Sequence, residues 1–168
     1  MIKNIMKENK RGYGGAKIKY VDPFLPFFKV IYYRKDKHKV IDRYSGDENF
    51  IGQTIYFLNK KPEYGLNYYG RIVDRKFKTK AVYAFLKKAL VSGSSKYRGM
   101  NGYKEDKWMY KNKYTEKRGF VEGEEKIFFN KKLVYILVYH GGKIFEHKLL
   151  NEFLKNLLPI KKAQINII

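Results

Sequence analysis

Phe120 to Ile144, FVEGEEKIFFNKKLVYILVYHGGKI, is the stretch whose reading decides the fold. Aromatic and β-branched residues fill both arms, and a turn-forming Asn sits between them. It therefore reads as two strands joined at Asn130-Lys131-Lys132 and closed by Gly141-Gly142. A weaker copy lies 71 positions earlier: Gly52 corresponds to Gly123, Phe57 to Phe128, Asn59-Lys60 to Asn130-Lys131, Tyr68 to Tyr139 and Gly70 to Gly141. One unit used twice accounts for this spacing.

Working outward, Lys39 to Tyr44 reads as a strand, 45–49 as a turn, Phe50 to Leu58 as a second strand and Pro62 to Gly70 as a third. In the third, Tyr64, Leu66 and Tyr68 alternate with Gly65, Asn67 and Tyr69, the period of a strand with one wet face. The period then changes. Val82, Phe85, Leu86, Ala89 and Leu90 fall on one helical stripe, with Thr79 as N-cap and Gly93 beyond the end. Residues 92–102, SGSSKYRGMNG, form the linker between units.

The second unit repeats the order, with strands at Lys107 to Tyr114, Phe120 to Phe129 and Leu133 to Tyr139. A second helix is expected over 147–159, where Leu149, Leu150, Phe153, Leu154, Leu157 and Leu158 share a face and Pro159 ends it. The expected architecture is α+β: one compact domain over 1–168 of internally duplicated βββα units, 36–93 and 103–159. Its antiparallel meanders carry two amphipathic helices. A basic segment, 1–26, precedes them, with a short helix around Ile2, Ile5 and Met6. LVYILVY, 133–139, is apolar throughout, which predicts a central strand covered on both faces and places the first unit nearer an edge. A two-residue turn would hold Lys131 at positive φ, so a longer turn is expected there.

Composition speaks to partners. The 168 residues hold 37 Lys+Arg against 16 Asp+Glu, a net charge of +21, where small domains usually carry a magnitude of about 2–8. Such charge attracts polyanions, although a lysine-rich composition produces it without any partner. There are 16 Tyr, 12 Phe and no Cys, which excludes disulfides, thiolate metal sites and cysteine nucleophiles. The first 15 residues lack a signal peptide's apolar core, and no window is long and apolar enough to span a membrane. A cytoplasmic protein without membrane contact is expected.

With the repeats laid out, the sequence resembles a family of prokaryotic domains of unknown function found alone or behind XRE-type helix-turn-helix regulators. The resemblance rests on Tyr13-Gly14-Gly15, Phe50-Ile51-Gly52 with Asn67-Tyr68-Tyr69-Gly70, Tyr97-Arg98-Gly99, Phe120 to Glu125 and Tyr139-His140-Gly141-Gly142. It covers most of residues 12–145. It implies a sensing or sequestering role and brings no established chemistry.

Candidate chemistry is sparse. His140 ends a strand beside two glycines, and with Glu124 or Glu125 across the hairpin it would make an acid–base pair for a hydrolase; an ordinary solvated strand end fits the same residues. His38, His140 and His147 share no metal-ligand spacing, so no metal is expected, and no cofactor fingerprint is present. Arg98 with Tyr97 is the best anion site, since Arg grips phosphate bidentately and Tyr stacks on a base. Equally, Arg98 would pair with an acid of the other unit and lock the halves. Trp108, Tyr139 and His140 join it as walls of a pocket expected between the units. Lys80 and Lys87 lack an answering acid on the first helix, and Tyr64, Tyr68, Tyr69 and Arg71 would give a sheet face for single strands. The leading expectation is a non-catalytic binder of nucleic acid or a phosphate-rich nucleotide through this basic, tyrosine-rich surface. The alternative is a small-molecule domain related to transcriptional regulators. Where the two units differ, at Glu125, His140 and Gly142 against Thr54, Tyr69 and Arg71, is where special chemistry is to be sought.

Overall fold

A computed structural model describes residues 18–92 and 97–144. They form nine strands and one helix: β1 Ile18–Val21, β2 Lys29–Lys35, β3 His38–Gly46, β4 Asn49–Leu58, β5 Lys61–Ile72, α1 Thr79–Val91, β6 Lys104–Glu105, β7 Trp108–Lys117, β8 Phe120–Phe129 and β9 Lys132–Lys143. All nine strands join one antiparallel sheet in the order β1-β2-β3-β4-β5-β9-β8-β7-β6. The expected α+β architecture with two amphipathic helices is thus overturned: the described chain is largely β, with a single helix. The two meanders do not form separate layered units because β5 pairs along its length with β9, merging them edge to edge. The second expected helix, 147–159, and the short one before residue 17 lie outside the described residues.

The offset of 71 carries into the geometry. Register shifts fall between Tyr56 and Phe57 and between Ile127 and Phe128. Tyr68 faces Gly52 in one hairpin, and Tyr139 faces Gly123 in the other. In both, the tyrosine ring lies over the glycine, and a methyl group added there would overlap it. Tyr68 also faces Tyr139 across β5–β9. The seam between the hairpins thus sets these two tyrosines opposite each other.

Two expectations about β9 are corrected by this arrangement. It is central, but so is β5, and the second unit, not the first, reaches an edge of the sheet, through β6. Nor is β9 covered on both faces: Tyr135, Leu137 and Tyr139 are buried, while Val138 is 51% exposed. The apolar run there serves one covered face and one open one. The tight turn was also misjudged. Asn130 (φ 46) and Lys131 (φ 68), like Asn59 (φ 50) and Lys60 (φ 70), take the left-handed region at both turn positions. Such two-residue turns match the twist of the strands they join, and that match outweighs the steric cost of a Lys.

The covered, inner face of the sheet carries Val40, Thr54, Tyr56, Leu66, Tyr68, Ile127 and Tyr139, all buried. Helix α1 lies on it through Val82, Phe85, Leu86, Ala89 and Leu90, each worth about 1.5–3 kcal/mol of burial for the larger side chains. Phe85 stacks on Trp108, with ring centroids 5.3 Å apart. The helix begins without a side-chain cap, because Thr79 is its first turn and Lys78 takes the capping position. Among the described residues no helix is long and apolar enough to cross a membrane.

Lys131→Gly is expected to raise the melting temperature. Relief of the left-handed penalty, roughly 1 kcal/mol, exceeds the added freedom of the unfolded chain, up to about 1 kcal/mol and usually less. Thermal denaturation followed by circular dichroism checks it, and a lower melting temperature would refute the strain assignment.

Candidate functional site: a cavity between the helix and the first hairpin

The loop after α1 fixes the site. Arg98 takes positive φ (58) and turns its guanidinium under the loop. Its Nε and Nη2 donate to Glu125 Oε1 and Oε2, each at 2.9 Å. Glu125 is fully buried and also accepts from the Tyr110 hydroxyl. Asn112 holds the loop backbone by donating to the carbonyls of Tyr97 (2.8 Å) and Gly99 (3.1 Å), while its own carbonyl accepts from Tyr139 at 2.9 Å. Gly99 lies against the Tyr110 ring, where an added Cβ would come within 2.7 Å. Burial raises the Tyr110 and Tyr139 hydroxyl pKa values, and the neighbouring Glu125 charge pushes the same way. Both phenols stay neutral donors.

On the other side of Arg98 the inner face is not filled. A cavity of about 270 Å³ opens between α1 and strands β2 to β5. Its floor is polar: Asp42, Tyr68 and Arg98, all at least nine-tenths buried. Asp42 Oδ1 accepts from Thr54 Oγ1 (2.7 Å) and Tyr68 Oη (2.9 Å), and the Arg98 guanidinium lies 5.3 Å from the Tyr68 ring centre. Rings of Tyr44, Phe50, Tyr83 and Tyr135 make the walls, and Lys29 and Lys87 stand at the mouth. Burial raises the Tyr83 pKa and, with Asp42 and Asp47 assisting against Lys29, that of Tyr44. Tyr83 donates to the Asp47 carbonyl, tying the β3–β4 turn to the helix.

The residues singled out from sequence are dispersed by this geometry. Arg98 and Lys87 line the cavity. Tyr97 is fully buried beneath Tyr64 and Tyr114. Trp108 packs among Phe77, Phe85 and Phe129 in the core. Tyr139 is core as well; hydrogen-bonded strands occupy the boundary between the units, and of the second unit Tyr135 reaches the cavity. Of the tyrosines expected on an open sheet face, Tyr64 and Tyr68 are buried; only Tyr69 is exposed, on the outer face with Arg71 and His140. Lys80 is exposed on α1, and Lys88 on the same helix pairs with Glu105.

His140 lies opposite Glu122, not Glu125, which points to the inner face. Glu124 shares the outer face with His140, but pairs with Lys126 at 2.7 Å. Among the described residues no three of His, Asp and Glu converge on a metal position.

Asp42, Tyr44, Tyr83 and Lys29 were missed as site residues. Asp42 had a signal: in Val40-Ile41-Asp42-Arg43-Tyr44 it shares the buried parity with Val40 and Tyr44, and a carboxylate there must be answered.

An open antiparallel sheet with one helix across it, and a ligand-sized cavity beneath that helix, defines the class of domain. The chain belongs to the family described as a domain of unknown function (DUF5680), whose match covers residues 42–144, from within β3 to the end of β9. No curated protein and no solved structure matches the chain.

Two outcomes follow from the site's electrostatics. Arg98→Met is expected to destabilise the fold by about 3–5 kcal/mol, since it strands a buried carboxylate; urea denaturation measures this, and a loss below 1 kcal/mol would show that Glu125 is not relying on the pair. Stability is also expected to fall at alkaline pH. The phenols are raised in the folded state, so their contribution is intact below the unfolded value near 10 and is lost as pH climbs through the folded values, to about 12 for Tyr64. A phenolate absorbance titration should lag behind that of the unfolded chain.

Proposed function

We propose that this protein is a non-catalytic binding domain that takes a small planar ligand into the cavity beneath α1. The observation that carries it is the buried Asp42–Tyr68–Arg98 floor under an unfilled, ring-walled space. Binding sites are typically concave and mostly apolar, with a few placed polar groups. Here the rings of Tyr44, Phe50, Tyr83 and Tyr135 suit a flat one- or two-ring compound. Asp42 suits a hydrogen-bond donor on its inner edge. Lys87 suits an anionic substituent left at the mouth, where Lys29 is paired with Asp47 at 3.4 Å. A phosphate-bearing nucleoside and an aromatic carboxylate both answer this description.

The reading favours sensing or sequestering over turnover. The cavity's polar groups are tied into a hydrogen-bonded network, and His140 is on the opposite face. We place the domain inside the cell and in the company of transcriptional regulators. The matching bulges, turns and tyrosine–glycine contacts of the two hairpins support an origin by duplication.

The test is a thermal-shift panel of nucleosides, nucleoside monophosphates and aromatic carboxylates against the full chain and Ile31→Trp, which fills the cavity from its rim. Ligands that raise the wild-type melting temperature should lose their effect in Ile31→Trp. A panel without a single hit, or hits equally strong in the filled variant, would reject the cavity as the site.

A further inference from the structure

A second concavity lies far from the cavity floor, where the β2–β3 and β4–β5 turns stand side by side. The Asn59 amide donates to the Lys37 carbonyl at 2.9 Å and fastens the two turns together. The space between them, about 390 Å³, is lined by Tyr32, Arg34, Lys37, His38, Lys39 and Lys60, with Asp36 its one carboxylate. Among the described residues Arg34, Lys37, Lys39 and Lys60 take part in no ion pair.

Four cations gathered this way repel one another. Arg34 and Lys39 are directly opposed across β2–β3, a placement of like charges that weakens a strand pair. Nothing in the fold requires it, for the exposed side chains of Arg34, Lys37 and Lys60 support no core contact. Lys39 is answered in part by the Phe57 ring, whose centre is 3.8 Å from its Nζ; among the described residues no carboxylate pairs with the other three, an arrangement that fits a site completed by an anion. The concavity exceeds the roughly 30 Å³ of a water by far and has room for more than one tetrahedral anion. Tyr32, half-buried on the wall, offers a ring beside it.

We infer that Arg34, Lys37, Lys39 and Lys60 form a binding site for closely spaced phosphates, separate from the cavity beneath α1. A nucleoside polyphosphate and a single-stranded nucleic-acid backbone share that chemistry. Arg34, Lys37 and Lys39 precede the span, residues 42–144, that the family's model matches.

The experiment uses the full chain and two triple variants that remove equal charge from exposed positions: Arg34→Gln/Lys37→Gln/Lys60→Gln at these turns, and Lys76→Gln/Lys104→Gln/Lys107→Gln at the far end of the sheet. Binding of a labelled single-stranded oligonucleotide is measured by anisotropy over a salt series, and tripolyphosphate and ATP by calorimetry. The first triple should lose about tenfold or more in oligonucleotide affinity and about 2 in salt slope, given roughly 0.7 per phosphate contact on single strands. The far-end triple should lose less than about twofold. If ATP and tripolyphosphate bind and also depend on the first triple, the ligand is a polyphosphate; if only the oligonucleotide does, it is a nucleic-acid backbone. Equal losses in both triples would reduce the effect to diffuse charge and overturn the site. So would absence of wild-type binding to all three probes at low salt. Should the first triple melt early, Lys37→Glu alone must reproduce the loss. None of these outcomes bears on the Ile31→Trp panel, so the two sites fail or stand separately.

Discussion

Glu125 has no exposure to solvent, and a carboxylate in that position must be matched by a cation or protonated. Arg98 supplies the match from outside the sheet, and this one demand organises what surrounds it. The loop carrying Arg98 has to cross the second hairpin at a fixed height, with Gly99 against the Tyr110 ring and Asn112 gripping two of its carbonyls. It covers that half of the inner face. Among the described residues the first half has no such strap: Thr54 stands where Glu125 does, and its partner is Asp42 within the sheet. The cavity beneath α1 lies over that half.

Much of the sheet was legible. Alternation in Tyr64-Gly65-Leu66-Asn67-Tyr68 and the repeated Asn-Lys turns located strands because a half-buried strand imposes a period of two on its own sequence. The stripe from Val82 to Leu90 located α1 for the equivalent reason. Strand partnership was not legible. No local pattern says that β5 will meet β9, since both have one apolar face whether they are neighbours or lie in different layers. β6, at two residues, is too short to have a period at all.

The site was half legible. Arg98 stood out because an arginine among glycines in a linker is exposed to question, and the ion pair with the second unit was one of its two expected fates. Glu125 was marked by its difference from Thr54. Tyr68 misled because parity within a strand does not say which parity is wet, and the exposed member turned out to be Tyr69. Lys29, Asp42 and Tyr83 come from three elements and have no shared spacing. Only the helix crossing over β2 to β5 brings them to one cavity.

The β5–β9 pairing has a bearing on how the chain reaches this state. Every other major strand contact in the sheet is made across a short connection, so each hairpin can form from residues already close in sequence. Tyr68 and Tyr139 enclose about 70 residues, and closing that loop costs roughly 3 kcal/mol more than closing a two-residue turn if each doubling adds about 0.6. The seam between the hairpins is therefore the late event. Until it zips, two long strands, with Val138 and Tyr69 on their open faces, have bare edges that will accept any other strand. Two hairpins of matching register in one chain make each half a ready mistaken partner for the other half of a neighbouring molecule. Strong like charge on every copy holds such neighbours apart while the seam closes.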